Sequence, residues 1–84
     1  MNPKQTQKPI PLYELTLGQK AIIVDFMDDS DISQRIEEMG VTPNEEIEMI
    51  RSAPLGDPLE IKIRGYLLSL RKEEAKKVLV QPIQ

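Results

Sequence analysis

Asp28-Asp29-Ser30-Asp31 and Glu45-Glu46 are the groupings in this 84-residue chain whose side chains could take part in acid–base or metal chemistry. A carboxylate pair becomes an acid and a base when burial or mutual repulsion raises one pKa. These pairs are sequence neighbours in polar segments, where carboxylates stay solvated. The chain has no histidine and no cysteine, which removes the usual nucleophile–base pairs. No Walker or dinucleotide-binding glycine pattern occurs either. The inventory predicts a protein that is not an enzyme. The first acidic run offers hard oxygen ligands but lacks the spacing and terminal Glu of a calcium loop. Its acids suit the positive end of a helix instead. Without His or Cys, a tight transition-metal site on one protomer is not expected. Neither a metal nor a cofactor is predicted.

Binding chemistry is left. Arg71, Lys72, Lys76 and Lys77 could contact phosphates, which makes a small nucleic-acid-binding β-barrel the alternative function. Acidic balance and the lack of interleaved aromatics weigh against it, and no nucleic acid is expected as a partner. Recognition of proline-rich peptides lacks its Trp, and Tyr13 and Tyr66 are far apart in sequence. Leu67 points to another protein. Its neighbours Tyr66 and Leu68 belong to the face of Ile61 and Ile63, so Leu67 belongs to the other. If solvent covers that face, Leu67 and Leu55 form part of an exposed apolar patch. The competing reading places the segment Arg71–Lys77 or the N-terminal segment over them.

The elements that must hold these residues follow from local pattern. Leu59, Ile61 and Ile63 alternate with Glu60 and Lys62, the period of a half-buried strand. Arg64-Gly65 reverses the chain, with Gly65 suited to positive φ. A two-residue loop pairs Ile63 with Tyr66, Ile61 with Leu68 and Leu59 with Leu70, on one face. Upstream, Pro11–Leu15 forms a single turn that lays Leu12 and Leu15 on the core, and Gly18 leads into a strand over Gln19–Phe26. Ala21-Ile22-Ile23-Val24 is apolar on both faces, which predicts the most buried strand. A helix spans about Ile32 to Met39, with Asp31 and Gln34 as a capping box and Ser30 as the competing cap. Ile32, Ile36 and Met39 form its apolar stripe. Gly40 closes it, and Val41 meets Ile36 across a Schellman motif. Pro43-Asn44 centres a type II turn. Glu46–Arg51 is a strand that buries Ile47 and Met49, Arg71–Lys77 has helical composition, and Val78-Leu79-Val80 is a last strand ended by Pro82.

One small domain is all that this length allows. Residues 1–11, rich in proline and amides, are predicted to be a disordered tail, and residues 12–84 the domain. No apolar run reaches membrane-span length, and no signal-peptide core is present, which fits a cytoplasmic protein. Net charge is −3 and uneven. Asp25 to Glu48 carries nine acids against Arg35, and Lys62 to Lys77 carries six bases against Glu73 and Glu74. Either these are ordinary solvated faces or they orient the domain against a charged partner. Five short strands and two short helices predict a mainly β, small, partly open barrel, closed so that strand edges are not left exposed.

Three blocks give the chain a family likeness. They are Leu12-Tyr13-Glu14-Leu15-Thr16-Leu17-Gly18, then Arg35-Ile36-Glu37-Glu38-Met39-Gly40-Val41-Thr42-Pro43, and finally Ala53-Pro54-Leu55-Gly56-Asp57-Pro58 through Gly65 to Arg71. The chain resembles the FeoA family, small proteins that accompany the bacterial ferrous-iron transporter FeoB. Ala75 and Val78-Leu79-Val80 also fit the family's ending, whereas Pro43-Asn44 stands where members usually have Pro-Gly. The resemblance implies an SH3-like barrel of about five strands with one or two short helices. It implies a cytoplasmic accessory of ferrous-iron uptake, recruited to the inner face of the membrane by its partner, the GTP-binding part of FeoB. Related domains serve as interaction modules at the C-terminus of metal-dependent repressors. The family supplies no catalytic residues. For this chain, Leu55, Gly56, Asp57, Arg64 and Leu67 are the expected partner-binding residues.

Overall fold

The hairpin forms in the register that its alternation predicts, with Ile63 opposite Tyr66, Ile61 opposite Leu68 and Leu59 opposite Leu70. Both turn residues take positive φ, 54° at Arg64 and 84° at Gly65, the arrangement of a type I′ turn. Its right-handed twist matches that of the flanking strands. The computed structural model describes residues 8–83. Within them the strands are β1 (Ile10–Pro11), β2 (Lys20–Phe26), β3 (Glu46–Ser52), β4 (Leu59–Ile63), β5 (Tyr66–Leu70) and β6 (Val78–Ile83). Helix α1 (Asp31–Glu38) joins β2 to β3, and the single turn α2 (Lys72–Ala75) joins β5 to β6. A 3₁₀ turn, Leu12–Glu14, follows β1 and buries Leu12.

All strand pairings are antiparallel, in the order β1-β6-β2-β3-β4-β5. The inner face carries Ile23, Ile47, Met49, Ile61, Ile63, Leu70 and Val80, with Ile36 and Val41 from the helix segment. Leu12 and Leu15 cover this core from the N-terminal side. The architecture is the expected mainly β, SH3-like barrel, with six strands where about five were predicted. The added strand is β1. Ile10 and Pro11 pair with Val80 and Leu79, and Ile10 packs on the core, so two residues assigned to the tail belong to the sheet. Proline suits this position because an edge strand needs few donors. The rest of the predicted tail, residues 1–7, lies outside the described residues.

Local signals decide several boundaries. Ser30, the competing cap, starts α1, since its side chain accepts the Ser33 N–H at 3.2 Å. The helix closes as a Schellman motif, with Gly40 N–H donating to Glu37 O and Val41 N–H to Ile36 O. Asn44 has φ of 78° and Glu45 N–H reaches Thr42 O at 3.2 Å, which is the type II turn around Pro43-Asn44.

Three expectations are corrected. β2 is not the most buried strand: Ala21 and Ile23 are buried, but Ile22 is half-buried and Val24 is exposed. A register shift against β6 falls at Val24, which is left 41% exposed. β6 is not ended by Pro82, which lies opposite Ala21 inside the strand. Ile23 directs its N–H and C=O toward the β3 side, bonding Glu45 O and Asn44 N, so by alternation Ala21 does the same. The missing N–H of Pro82 therefore faces away from β2, past the end of β1. Finally, strand pairing among the described residues does not close the barrel, because β5 has one neighbour there, β4.

Candidate functional site

The β4–β5 register sorts the hairpin by face. Tyr66, Leu68 and Leu70 share the core side, whereas Leu67 and Ser69 project outward. Leu67 lies opposite Lys62 and is 53% exposed, so among the described residues neither α2 nor the segment before β2 covers it. It ends an outer cross-strand row that runs Ile83, Lys20, Glu48, Lys62, Leu67. Such a row presents an apolar residue beside alternating charge. At the turn, the Arg64 guanidinium donates to Glu45 at 2.9 Å, and that bond raises its pKa further, keeping it a fixed cation. Tyr66 folds back from β5, its OH donating to Met39 O at 3.1 Å, and so pins the hairpin to the end of α1.

The Pro54–Pro58 loop is built separately. Gly56 N–H donates to Ala53 O at 2.7 Å, closing a tight turn in which Gly56 has φ of 79°. Leu55 stands at the tip, 89% exposed. Asp57 turns inward, where its carboxylate accepts the Lys72 N–H at 3.0 Å and lies 3.8 Å from Arg71 Nε. It thereby caps α2 from outside the helix and anchors the loop. Asp57→Ala is expected to cost about 1 kcal/mol of stability, read from urea midpoints, because that donor loses its partner.

The five predicted residues therefore fall into two groups. Arg64 and Leu67 sit at the turn end of the hairpin, and Leu55, Gly56 and Asp57 at its open end. Leu55 and Leu67 do not form one patch. Gly56 shapes the loop and Asp57 holds it, which leaves Leu67 as the exposed apolar side chain at the turn end, opposite Lys62. Sequence reasoning passed over Met27, which is 57% exposed and, with Ile32, Glu73 and Lys76, lines a groove of about 440 Å³ between α1 and α2. Its position just after a strand could have marked it.

The uneven charge segments interleave on folding. Asp28 of the acidic segment accepts from Lys77 Nζ at 2.7 Å, from Ser33 Oγ at 2.9 Å and from Ser30 N–H at 3.0 Å. The Lys77 bond, then those to Ser30 and Ser33, hold its carboxyl far below the usual range. A carboxylate depressed in the folded state stabilises it fully above the unfolded pKa of about 4, and the contribution is lost as pH falls toward the folded pKa. Asp28→Asn is thus expected to lower Tm at about pH 7, with the gap to the parent narrowing by about pH 2. Thermal melts across that range check the sign. Three more bases of the segment are engaged: Arg71 with Asp57, and Lys72 and Lys76 each 5.7 Å from the centre of the Tyr13 ring. Among the described residues no three acidic side chains converge to hold a metal ion.

A sheet rolled around one apolar core, with its distinctive side chains on the outside, defines a small SH3-like barrel. The FeoA domain model matches residues 10–82, and the chain belongs to the FeoA family. It is 39% identical over 72 residues to a Fe(2+) transport protein A/Fe(2+) transporter FeoB fusion protein of Porphyromonas gingivalis. That match covers 86% of this chain and 8% of the curated relative's length. The structure is similar to that of a FeoA-like protein from Clostridium acetobutylicum, with TM-score 0.87 and 37% identity, covering 94% of this chain and 92% of the other. It is also similar to Stenotrophomonas maltophilia FeoA in complex with zinc, described as a prokaryotic SH3 domain protein. There the TM-score is 0.72 at 33% identity, over 82% of this chain and 86% of that one.

Proposed function

We propose that this protein is a non-catalytic accessory of ferrous-iron uptake. It binds the cytoplasmic, GTP-binding part of a FeoB-type transporter through the turn end of the β4–β5 hairpin, centred on Leu67. The observation that carries the partner is the relative in which a region 39% identical to this chain shares a polypeptide with a FeoB transporter. Sharing a chain raises the effective concentration of one domain at the other, which benefits a contact that separate chains must make by affinity. Geometry supports the surface: an exposed Leu67 opposite Lys62, near the Arg64-Gly65 turn, can exclude water at its centre and steer a partner at its rim.

The nucleic-acid alternative has less support. Arg71, Lys72, Lys76 and Lys77 all have intramolecular partners, and binding phosphates would require several of these contacts to exchange. No helix among the described residues is long and apolar enough to cross a membrane. Calorimetric titration into the transporter's cytoplasmic domain, with GDP and with a GTP analogue, tests the function. Saturable binding is expected. Absence of heat and of co-elution in both nucleotide states would remove this partner domain.

A further inference from the structure

The two edges of the sheet are unlike. β1 has two residues and ends in Pro11, a short edge that resists pairing. β5 has five residues, and within it there is no proline, no charged residue and no register shift. These are the usual devices that blunt an edge, and β5 lacks all of them. In a hairpin with a two-residue turn, the pair flanking the turn exchanges both hydrogen bonds. Tyr66, Leu68 and Leu70 therefore direct their backbone groups to β4, and Leu67 and Ser69 direct theirs away. Among the described residues nothing bonds to the N–H or C=O of Leu67 and Ser69 on that side. Two donors and two acceptors stand in a row beside an exposed leucine.

We infer that the outer edge of β5 takes up an extended, acidic segment of the transporter's cytoplasmic part as an added strand. The source of that segment rests on the function proposed above; the mode of recognition rests on the edge. Outward N–H and C=O groups of Leu67 and Ser69 bond an extended backbone, and alternate side chains of the segment pack beside Leu67. Charge sets its acidity. Lys62, opposite Leu67, makes no ion pair among the described residues, and Arg71 at the far end is 69% exposed despite its contact with Asp57. A second copy of this chain fits poorly. Antiparallel pairing of two β5 strands that uses both residues sets Leu67 opposite Ser69, which brings Arg71 and Lys72 against the Arg64-Gly65 turn of the other copy. Like charges across a strand pair are unfavourable.

Ser69→Pro tests the edge directly. It removes one outward donor and blocks the edge with its ring, while the bonds to β4 stay available; Ser69→Ala keeps the backbone. With the full chain and the transporter's cytoplasmic domain, Ser69→Pro is expected to weaken binding at least about tenfold, and Ser69→Ala less than about twofold. Lys62→Glu should weaken it in the same direction. Amide exchange of the wild-type protein gives a second readout that needs no variant: the Leu67 and Ser69 N–H groups should become protected in the complex. If the complex forms and these two amides exchange as fast as in the free protein, the edge is overturned and the accessory role stands. If wild-type protein binds no part of the transporter, the accessory role fails and the inferred occupant goes with it. Protection that rises with protein concentration and no transporter present would give the edge to a second copy and overturn the proposal.

Discussion

Leu67→Asp is expected to leave the chain folded and to weaken binding to the transporter's cytoplasmic domain by about 10- to 100-fold. Burying an aliphatic side chain at an interface contributes roughly 1.5–3 kcal/mol, and each 1.4 kcal/mol is about a tenfold change in affinity. The variant forfeits that gain and places a carboxylate at the contact. Its folding cost is small, because the side chain faces solvent and Asp would lie opposite Lys62. A change within about 1 kcal/mol is expected, the span of strand propensities. Leu55→Asp provides the comparison. Leu55 is the more exposed residue but stands at the other end of the hairpin, so its replacement should change affinity less than about twofold. Equal losses from both variants would place the contact on the loop as well as on the turn.

Gly40→Ala is expected to destabilise the domain by roughly 2–3 kcal/mol, a large share of the stability of so small a protein. Gly40 has φ of 103°, where an L-residue is strained by about 1–2 kcal/mol. A Cβ there would lie 3.1 Å from the Tyr66 hydroxyl, the group that donates to Met39 O. Losing that bond adds about 1 kcal/mol. Urea midpoints of Gly40→Ala, Tyr66→Phe and the double variant separate the two causes. If the clash contributes, the double variant is less destabilised than the sum of the single ones. Strict additivity would mean that backbone strain alone accounts for the loss. The junction bears on the proposed contact because Tyr66 fixes the hairpin end beside Leu67.

Short-range features were legible because local chemistry decides them. The alternation of Leu59, Ile61 and Ile63 sets the hairpin register, Gly40-Val41 sets the helix end, and Pro43-Asn44 sets the turn. What escaped depends on residues far apart in sequence. Pro82 reads as a terminator until its N is seen to face away from β2, and Ile10-Pro11 reads as tail until β6 lies beside it. Ser30 prevails as the cap of α1 where Asp28, itself tied to Lys77, binds the Ser30 N–H and the Ser33 hydroxyl. At the candidate site, the outward direction of Leu67 follows from period-2 alternation, but its separation from Leu55 does not. Asp57 lies in one of the family blocks and is expected at the partner contact, yet its carboxylate accepts the Lys72 N–H, a bond across fifteen residues.

The most direct test of the account follows the backbone amides of isotope-labelled protein by NMR during titration with the unlabelled cytoplasmic domain of the transporter. The prediction is that saturating shifts concentrate on Arg64 to Ser69 and on Lys62, with Leu67 and Ser69 among the largest. Shifts confined to Met27, Ile32 and the α1–α2 groove would contradict it, because the partner would then dock on the face that carries neither Leu67 nor the free edge of β5.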